Sequence, residues 1–160
     1  TTDQLQQYLS FMLGGKPYGL AILNIKELIE YSNVTEIPMT PEFIAGVINL
    51  RGSVVPVIDL KLRFSGEVTE ISKRTAIIIL EIKTDDLRIE VGVMVDLVNE
   101  VLDIPQSDIE PSPSMGDQIQ TNFISGMAKV DGDLLIILDI KNVLSIEELS
   151  VASNIQASNQ

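Results

Sequence analysis

An internal repeat constrains the fold of this chain more than any other feature of its 160 residues. Within segment 43–60, a Phe-Ile pair, two glycines and an aspartate occur in a fixed order, and the same residues recur 80 positions later in segment 123–140. An upstream set repeats at a spacing of 73 and pairs Gly19, Ile22, Ile25, Glu27 and Pro38 with Gly92, Val95, Val98, Glu100 and Pro111. Self-similarity of this kind predicts a fold built from two copies of one small unit.

The residues inside each copy favour β-strands. Segments 54–58 and 76–82 are short, rich in β-branched residues and bounded by Gly, Asp or Ser, a pattern typical of buried strands. Residues 14–17, Gly-Gly-Lys-Pro, predict a hairpin turn between two apolar runs, and residues 84–86 predict a second hairpin. We therefore predict an all-β fold of two small barrels that share one interface. A single sandwich of four or five strands is the alternative, which the duplication disfavours.

Helical signals are few and short. Pro41 after Thr40 predicts the start of a short helix. Gly46 and its repeat equivalent Gly126 are predicted to end such helices in a left-handed conformation. The alternative is that a position without a Cβ admits the close approach of a partner. Residues 145–148, Ser-Ile-Glu-Glu, resemble a capping box and predict a helix near the C-terminus.

The length predicts a single domain over residues 1–160, with two intertwined barrel subdomains at roughly 18–75 and 76–150. A unit of about 60 to 70 residues is close to the lower limit for a stable core, so packing of the two units against each other would stabilise both. The polar segment 151–160 is expected to be a flexible tail.

Composition excludes most catalytic chemistry. The chain has no His and no Cys, so Ser-His-Asp and Cys-His nucleophiles, zinc sites built on these ligands, and disulfides are excluded. We expect neither a cofactor nor a metal. Lys and Arg number 11 against 23 Asp and Glu, a net charge of −12 that disfavours nucleic-acid binding.

No segment is typical of membrane insertion or export. The longest purely aliphatic runs have five residues, whereas a membrane-spanning helix needs about 20. The first residues have neither a basic region nor an apolar region of the kind found in signal peptides. We therefore expect a cytoplasmic protein.

Asp59 and Asp139 occupy the same place in the two copies. Two carboxylates related by a pseudo-two-fold axis are the basis of aspartic-protease catalysis. Here a Lys follows two positions after each Asp, instead of the tight Asp-Thr/Ser-Gly loop that such dyads need. We therefore expect each Asp to cap the segment that follows it, with a hydrolase as the minor alternative.

Arg51 stands in an otherwise apolar stretch, so we expect Arg51-Gly52 to form an exposed turn between two strands. Either this Arg is merely a solvated turn residue, or it displays a fork of donors to an acidic partner. The equivalent turn of the second copy carries Asp131, which indicates that the turn does not require Arg and favours the second interpretation.

Glu27 and Glu100 each follow an aliphatic residue, Ile25 or Val98, by two positions. On a strand, this spacing places each Glu beside its aliphatic neighbour on one face, whereas on a helix it does not. The sequence leaves open which structure forms here. An ordinary solvated carboxylate is the alternative to a binding role.

Several of these segments together resemble one known family, the CheW chemotaxis coupling proteins. The signature lies in Gly46-Val47-Ile48-Asn49-Leu50-Arg51-Gly52 and the following Val55-Pro56-Val57-Ile58-Asp59-Leu60. Segments 18–28, 91–96 and 123–140 support it, and the resemblance covers about residues 6–148. It implies two five-stranded SH3-like barrels around a shared hydrophobic interface, with a few short helices.

The resemblance also implies a function. CheW-like proteins are non-enzymatic adaptors that bridge the cytoplasmic tips of methyl-accepting chemotaxis receptors and the histidine kinase CheA, whose C-terminal regulatory domain is itself CheW-like. The protein would then be cytoplasmic and recruited to receptor arrays at the membrane. The alternative is the CheW-like portion of a CheV-type coupling protein or of a kinase, although the sequence contains no phosphoacceptor module.

By matched position, the resemblance implies seven receptor-binding residues, which come from both copies of the repeat. They are Ile25, Glu27, Gly46, Asn49, Arg51, Val98 and Val101. The resemblance assigns no residue to the kinase interface.

Overall fold

The computed structural model of this protein describes residues 5–32, 34–38, 41–83, 88–111, 124–139, 151, 152, 154 and 155. Its strands are β1 (Leu5–Leu13), β2 (Lys16–Ala21), β3 (Ile25–Glu30), β4 (Ile44–Leu50), β5 (Ser53–Asp59), β6 (Ala76–Lys83), β7 (Arg88–Val95), β8 (Leu97–Pro105), β9 (Ile109–Glu110), β10 (Ile124–Val130) and β11 (Asp133–Leu138). Helix α1 spans Leu60–Ser65, and single 3-10 turns span Ile22–Asn24 and Gln106–Asp108.

The strands form two sheets, which confirms the all-β prediction. One has five strands in the order β3-β6-β7-β5-β4, and the other has six in the order β8-β1-β2-β11-β10-β9. Most neighbours are antiparallel, but β5 pairs with β7 and β2 pairs with β11 in parallel. The last strand of the six-stranded sheet, β9, has only two residues. At the equivalent position beside β4 of the five-stranded sheet there is an isolated bridge between Thr35 and Val47.

The repeat is visible in the pairing, but the two copies exchange hairpins. The β1–β2 hairpin of the first copy pairs with β8 and β11 of the second, and the β6–β7 hairpin of the second pairs with β3 and β5 of the first. Each sheet therefore takes strands from both of the segments 18–75 and 76–150. The chain passes from one sheet to the other through very short connections, Ile22–Asn24 after the β1–β2 hairpin and Asp96 after the β6–β7 hairpin. Such short connections are not predictable from the sequence.

Three apolar clusters correspond to two barrel interiors and a shared interface. The interface cluster joins side chains from both sheets, including Phe11 and Leu20 from one and Ile58 and Leu80 from the other, all of them almost inaccessible to solvent. The five-stranded barrel encloses the cluster Ile48, Val55, Val57, Ile77, Ile79 and Met94. The other barrel encloses Tyr8, Ile104, Ala128, Leu135 and Ile137. This arrangement agrees with the predicted shared hydrophobic interface.

The predicted short helices after Pro41 and before Gly126 are not supported. Residues 42 and 43 form a turn, the Ile44 amide donates to the Pro41 carbonyl at 3.0 Å, and β4 starts at Ile44. Gly46 and Gly126 both lie inside strands, each just after a register shift. Each glycine lies in a strand because another backbone segment pairs with that strand at this point, at Thr35 in one barrel and at Glu110 in the other.

The predicted capping box at 145–148 lies outside the described residues. Residues 151, 152, 154 and 155 are helical, and Ala152 is fully buried in the interface cluster. Residues 151 and 152, at the start of the segment predicted to be a flexible tail, are thus helical.

Candidate docking site between the two barrels

The Arg51-Gly52 pair forms the tight turn between β4 and β5, as predicted. Both residues have positive φ angles, 53° and 87°, which is the geometry of a two-residue hairpin whose twist matches its strands. A left-handed conformation costs a residue with a Cβ about 1–2 kcal/mol. Asn49 compensates locally, because its Oδ1 accepts a hydrogen bond from the Gly52 amide at 3.0 Å. The side chain of Asn49 thus builds the turn that presents Arg51.

The second copy uses the same turn with different chemistry. Asp131 and Gly132 have φ angles of 51° and 85°. Asp131 takes the place of Arg51, and Lys129 takes the place of Asn49. The backbone of the hairpin is therefore common to both barrels, whereas the cationic tip belongs to the first alone.

Arg51 is exposed, but it is not the unpaired donor fork that the sequence suggested. Its Nη2 donates to Glu27 Oε1 at 2.7 Å, and 75% of the Arg51 side chain remains accessible. Glu27 is consequently not an ordinary solvated carboxylate. The bond occupies one of the five N–H donors of the guanidinium, so a partner can still reach the rest.

Glu27 lies on β3, which is a strand and not a helix, and this answers the question left open by the spacing. Ile25 faces Leu80, and Glu27 faces Ile79, so Lys26 is the extra residue of a β-bulge. On β8, Val98 faces Phe11 and Glu100 faces Ser10 around the equivalent bulge residue, Asn99. The two edge strands thus share the same irregularity.

The aliphatic members of the predicted set lie on these two edge strands. Ile25 and Val98 are partly buried and pack against the interface cluster. Val101, further along β8, is 49% exposed. Ile25 and Val98 therefore have a structural role at the interface between the barrels as well as any binding role. Val101 is exposed and is not among the described residues that pack against that interface.

A groove of about 510 Å³ lies where the end of β3 approaches the start of β8. It is lined by residues from both barrels and from the turn that precedes β6, namely Leu28, Ile29, Glu30, Lys73, Arg74, Thr75, Ala76, Leu97 and Val98. Of the seven predicted residues, only Val98 lines this groove. Sequence reasoning missed Leu28, which is 46% exposed although it is a leucine in a strand.

Gly46 has a structural role. A Cβ built on it would overlap the carbonyl oxygen of Thr35 and lie 2.8 Å from the Thr35 carbonyl carbon, and its φ is 156°. Gly126 is equally crowded, since a Cβ there would lie 2.8 Å from the Glu110 carbonyl oxygen. In both barrels, the glycine allows a neighbouring backbone segment to pair with the strand.

Asp59 is buried and caps α1, as predicted. Its carboxylate accepts hydrogen bonds from the Leu62 amide at 3.2 Å, the Thr69 amide at 2.9 Å and the Thr69 hydroxyl at 2.6 Å. Asp59 and Asp139 line different cavities, one at each barrel. This separation argues against an aspartic dyad.

Charge also fixes β3 to its own sheet. Lys26 Nζ lies 3.6 Å from Glu81 and 3.2 Å from Glu90. Hydrogen bonds from Arg88 and Lys83 hold the pKa of Glu81 below its usual value.

Burial raises the pKa of the Tyr18 phenol, which stacks between the rings of Phe11 and Phe64.

The described residues contain no group of three or more acidic side chains able to hold a metal ion. Within the same residues, no helix is long and apolar enough to cross a membrane.

Comparison with known proteins identifies the family. The model of the CheW-like domain matches residues 7–148. The chemotaxis protein CheW of Klebsiella aerogenes is 37% identical over 153 residues, which cover 96% of this chain and 90% of that protein. The chemotaxis protein CheW of Bacillus subtilis is also 37% identical, with 95% of each chain covered.

A solved structure agrees with the fold. The scaffolding protein TtCheW from Thermoanaerobacter tengcongensis superposes with a TM-score of 0.80 at 39% sequence identity, and 92% of each chain is covered. The residues matched by the family include the β4–β5 hairpin and its Arg51 tip. On the extent of these matches, the chain belongs to the CheW-like domain family.

Proposed function

We propose that this protein is a non-enzymatic adaptor that couples methyl-accepting chemotaxis receptors to the histidine kinase CheA. The observation that carries the proposal is the match of the CheW-like family over residues 7–148. Two relatives that bear the name chemotaxis protein CheW match over at least 90% of their length. These matches favour an adaptor of the CheW type over the CheW-like portion of a CheV-type protein or of a kinase.

The receptor side of the adaptor would be the face that carries the Arg51 tip and the groove between the barrels. Glu27, Asn49 and Arg51 are in contact through the turn and the ion pair. Ile25, Val98 and Val101 lie on the two edge strands at the barrel junction. Gly46 supports this face indirectly, because it allows β4 to pair with Thr35.

The partner chemistry follows from the shape of this face. A groove between two barrels that offers apolar side chains such as Leu28, Leu97 and Val98 suits the side of a helical hairpin, which is the form of a receptor tip. Binding energy in such interfaces concentrates in a few anchors, among which Arg is common. The adaptor would work in the cytoplasm, where receptor arrays recruit it, without inserting into the membrane.

Such an adaptor changes no covalent bond. It would hold receptor and kinase in one complex, and the receptor state would shift the population of active kinase through contacts that differ between two conformations. Coupling of this kind is a free energy that links binding at one site to binding or activity at another. The adaptor therefore needs no catalytic groups of its own.

A binding experiment tests the proposal. The purified protein is mixed with a soluble receptor cytoplasmic fragment and with a CheA-type kinase, separately and together, and complexes are isolated by size-exclusion chromatography. We expect binary complexes with each partner and a ternary complex with both. Absence of a ternary complex when both binary complexes form would contradict the adaptor role.

A further inference from the structure

Two adjacent cations, Lys73 and Arg74, line the groove together with Leu28 and Val98. One acidic residue, Glu30, is among the lining residues, so the lining carries 2 − 1, or one net positive charge. The whole chain has a net charge of −12. The groove is therefore a local exception to an acidic protein.

The turn that carries these cations is firmly anchored. Thr75 is only 2% exposed, and its hydroxyl accepts a hydrogen bond from the Ser72 amide at 2.8 Å. The Thr75 carbonyl accepts from the Tyr31 amide at 3.1 Å, which ties the turn to the end of β3. The Arg74 amide donates to Ser72 Oγ at 3.1 Å. The positions of the cations relative to the groove are thus fixed at the backbone.

The side chains of Lys73 and Arg74 are available to a partner. Both residues are exposed. Lys26, Arg51, Lys83 and Arg88 each have a Glu carboxylate within 3.6 Å. Across the ranges that the structure describes, neither Lys73 nor Arg74 forms such an ion pair. A carboxylate on a partner could therefore pair with either side chain.

We propose that Lys73 and Arg74 form an electrostatic guide for an amphipathic helix whose apolar stripe fills the groove and whose flanking side chains are acidic. This inference rests on the proposed function, in which that helix belongs to the receptor tip. Leu28, Leu97 and Val98 offer the apolar contacts, and the turn at 72–75 offers the complementary charge. The two cations are specificity determinants at the edge of the groove.

Charges at the rim of an interface act mainly on the association rate and on its salt dependence. The test therefore compares the double variant Lys73→Glu/Arg74→Glu with the matched control Lys16→Glu/Lys129→Glu. Both variants lower the net charge by four, and both change exposed lysine or arginine side chains, but Lys16 and Lys129 do not line the groove. Association and dissociation rates with the receptor fragment are measured at low and high salt.

The proposal predicts that Lys73→Glu/Arg74→Glu slows association about tenfold at low salt while the dissociation rate changes little. The difference should shrink as salt screens the charges. The control should lose no more than about twofold. Equal losses in both variants would overturn the proposal and leave the adaptor role intact. Slower binding of the kinase alone would assign the cations to the other partner and also overturn it.

Binding of the receptor fragment by the wild-type protein distinguishes failure of the helix guide from failure of the proposed function. If it shows no binding to the receptor fragment at any salt concentration, the proposed function itself is wrong, and the helix guide falls with it. Circular dichroism and thermal unfolding of each variant verify that the barrels are intact. Lys73 and Arg74 are exposed turn residues, and Lys16 and Lys129 are exposed strand residues, so all four substitutions should leave the unfolding temperature nearly unchanged.

Discussion

Arg51 and Glu27 join the opposite edges of one sheet. The sheet order is β3-β6-β7-β5-β4, Glu27 lies on β3, and Arg51 follows β4, so their 2.7 Å contact bridges the first strand and the last. The ion pair therefore closes the first barrel at the rim that carries the β4–β5 turn. In the second copy the corresponding residues are Glu100 and Asp131, which are both acidic and cannot form such a pair.

The first prediction separates barrel closure from partner recognition. Arg51→Glu places two carboxylates opposite each other, but the stability loss should stay below about 1 kcal/mol because the pair is exposed. Receptor binding should weaken by about 2 kcal/mol or more, since Arg at a hairpin tip is a typical anchor. Urea unfolding and titration with the receptor fragment measure the two effects.

The charge-swapped variant Glu27→Arg/Arg51→Glu is the control for this prediction. It can rebuild the ion pair with reversed polarity, so stability should return towards the wild-type value. Binding should remain weak if the guanidinium at position 51 contacts the receptor. Full recovery of binding would show instead that Arg51 acts only by closing the barrel.

The second prediction concerns the crowded glycines. Gly46→Ala and Gly126→Ala should each destabilise the fold by about 2–4 kcal/mol, because the added methyl group meets the backbone of Thr35 or Glu110. Gly15→Ala is the control: its φ is 81°, but nothing lies within 4 Å, so only the conformational cost of about 1 kcal/mol applies. Equal losses at all three positions in thermal unfolding would show that close packing is not the cause.

The third prediction concerns the buried cap of α1. Asp59→Asn leaves one oxygen where the carboxylate now serves three donors, and we expect a loss of about 2–3 kcal/mol. Thr69→Val removes only the hydroxyl donor and should cost about 1 kcal/mol. Chemical denaturation of both variants tests this order. A peptide-hydrolysis activity of the wild-type protein that Asp59→Asn abolishes would revive the dyad interpretation.

The fourth prediction is a pH dependence. The folded state holds the pKa of Glu81 below its usual value, mainly through the hydrogen bonds from Arg88 and Lys83. The stability that this residue contributes is present above the unfolded pKa of about 4.3 and is lost as the pH falls through the lowered pKa. Between pH 5 and pH 3, about the range of this titration, Glu81→Gln should therefore lose less stability than the wild-type protein. Parallel stability curves would contradict the assignment.

Much of the fold follows from local sequence rules. The glycine-rich turn at 14–15 and the β-branched runs of β5 and β6 each follow from short-range pattern. The repeat also placed the Arg51 turn and its counterpart at Asp131 correctly, because a two-residue hairpin needs specific backbone angles at specific positions. The sequence also predicted that Asp59 caps the segment after it, but it did not predict that this segment is helix α1.

The remainder depends on contacts that the sequence does not record. β3 could pair with β1 or with β6, since both strands are rich in apolar residues, and only the packing of the complete chain selects β6. The ion pair between Glu27 and Arg51 requires the sheet to close into a barrel, which no local pattern predicts. The sequence predicts that Gly46 ends a helix, whereas the structure places it in a strand against the backbone of Thr35. This contact is not visible in the local sequence, because Thr35 lies eleven positions before Gly46.

One measurement tests the central claim most directly: kinase autophosphorylation in membranes that contain receptors, with this protein added or omitted. The adaptor account predicts that activity rises several-fold only when receptor, kinase and this protein are all present, and that Arg51→Glu greatly reduces the rise. Kinase activity that is unchanged by the protein, in mixtures where each binary complex has been verified, would contradict it.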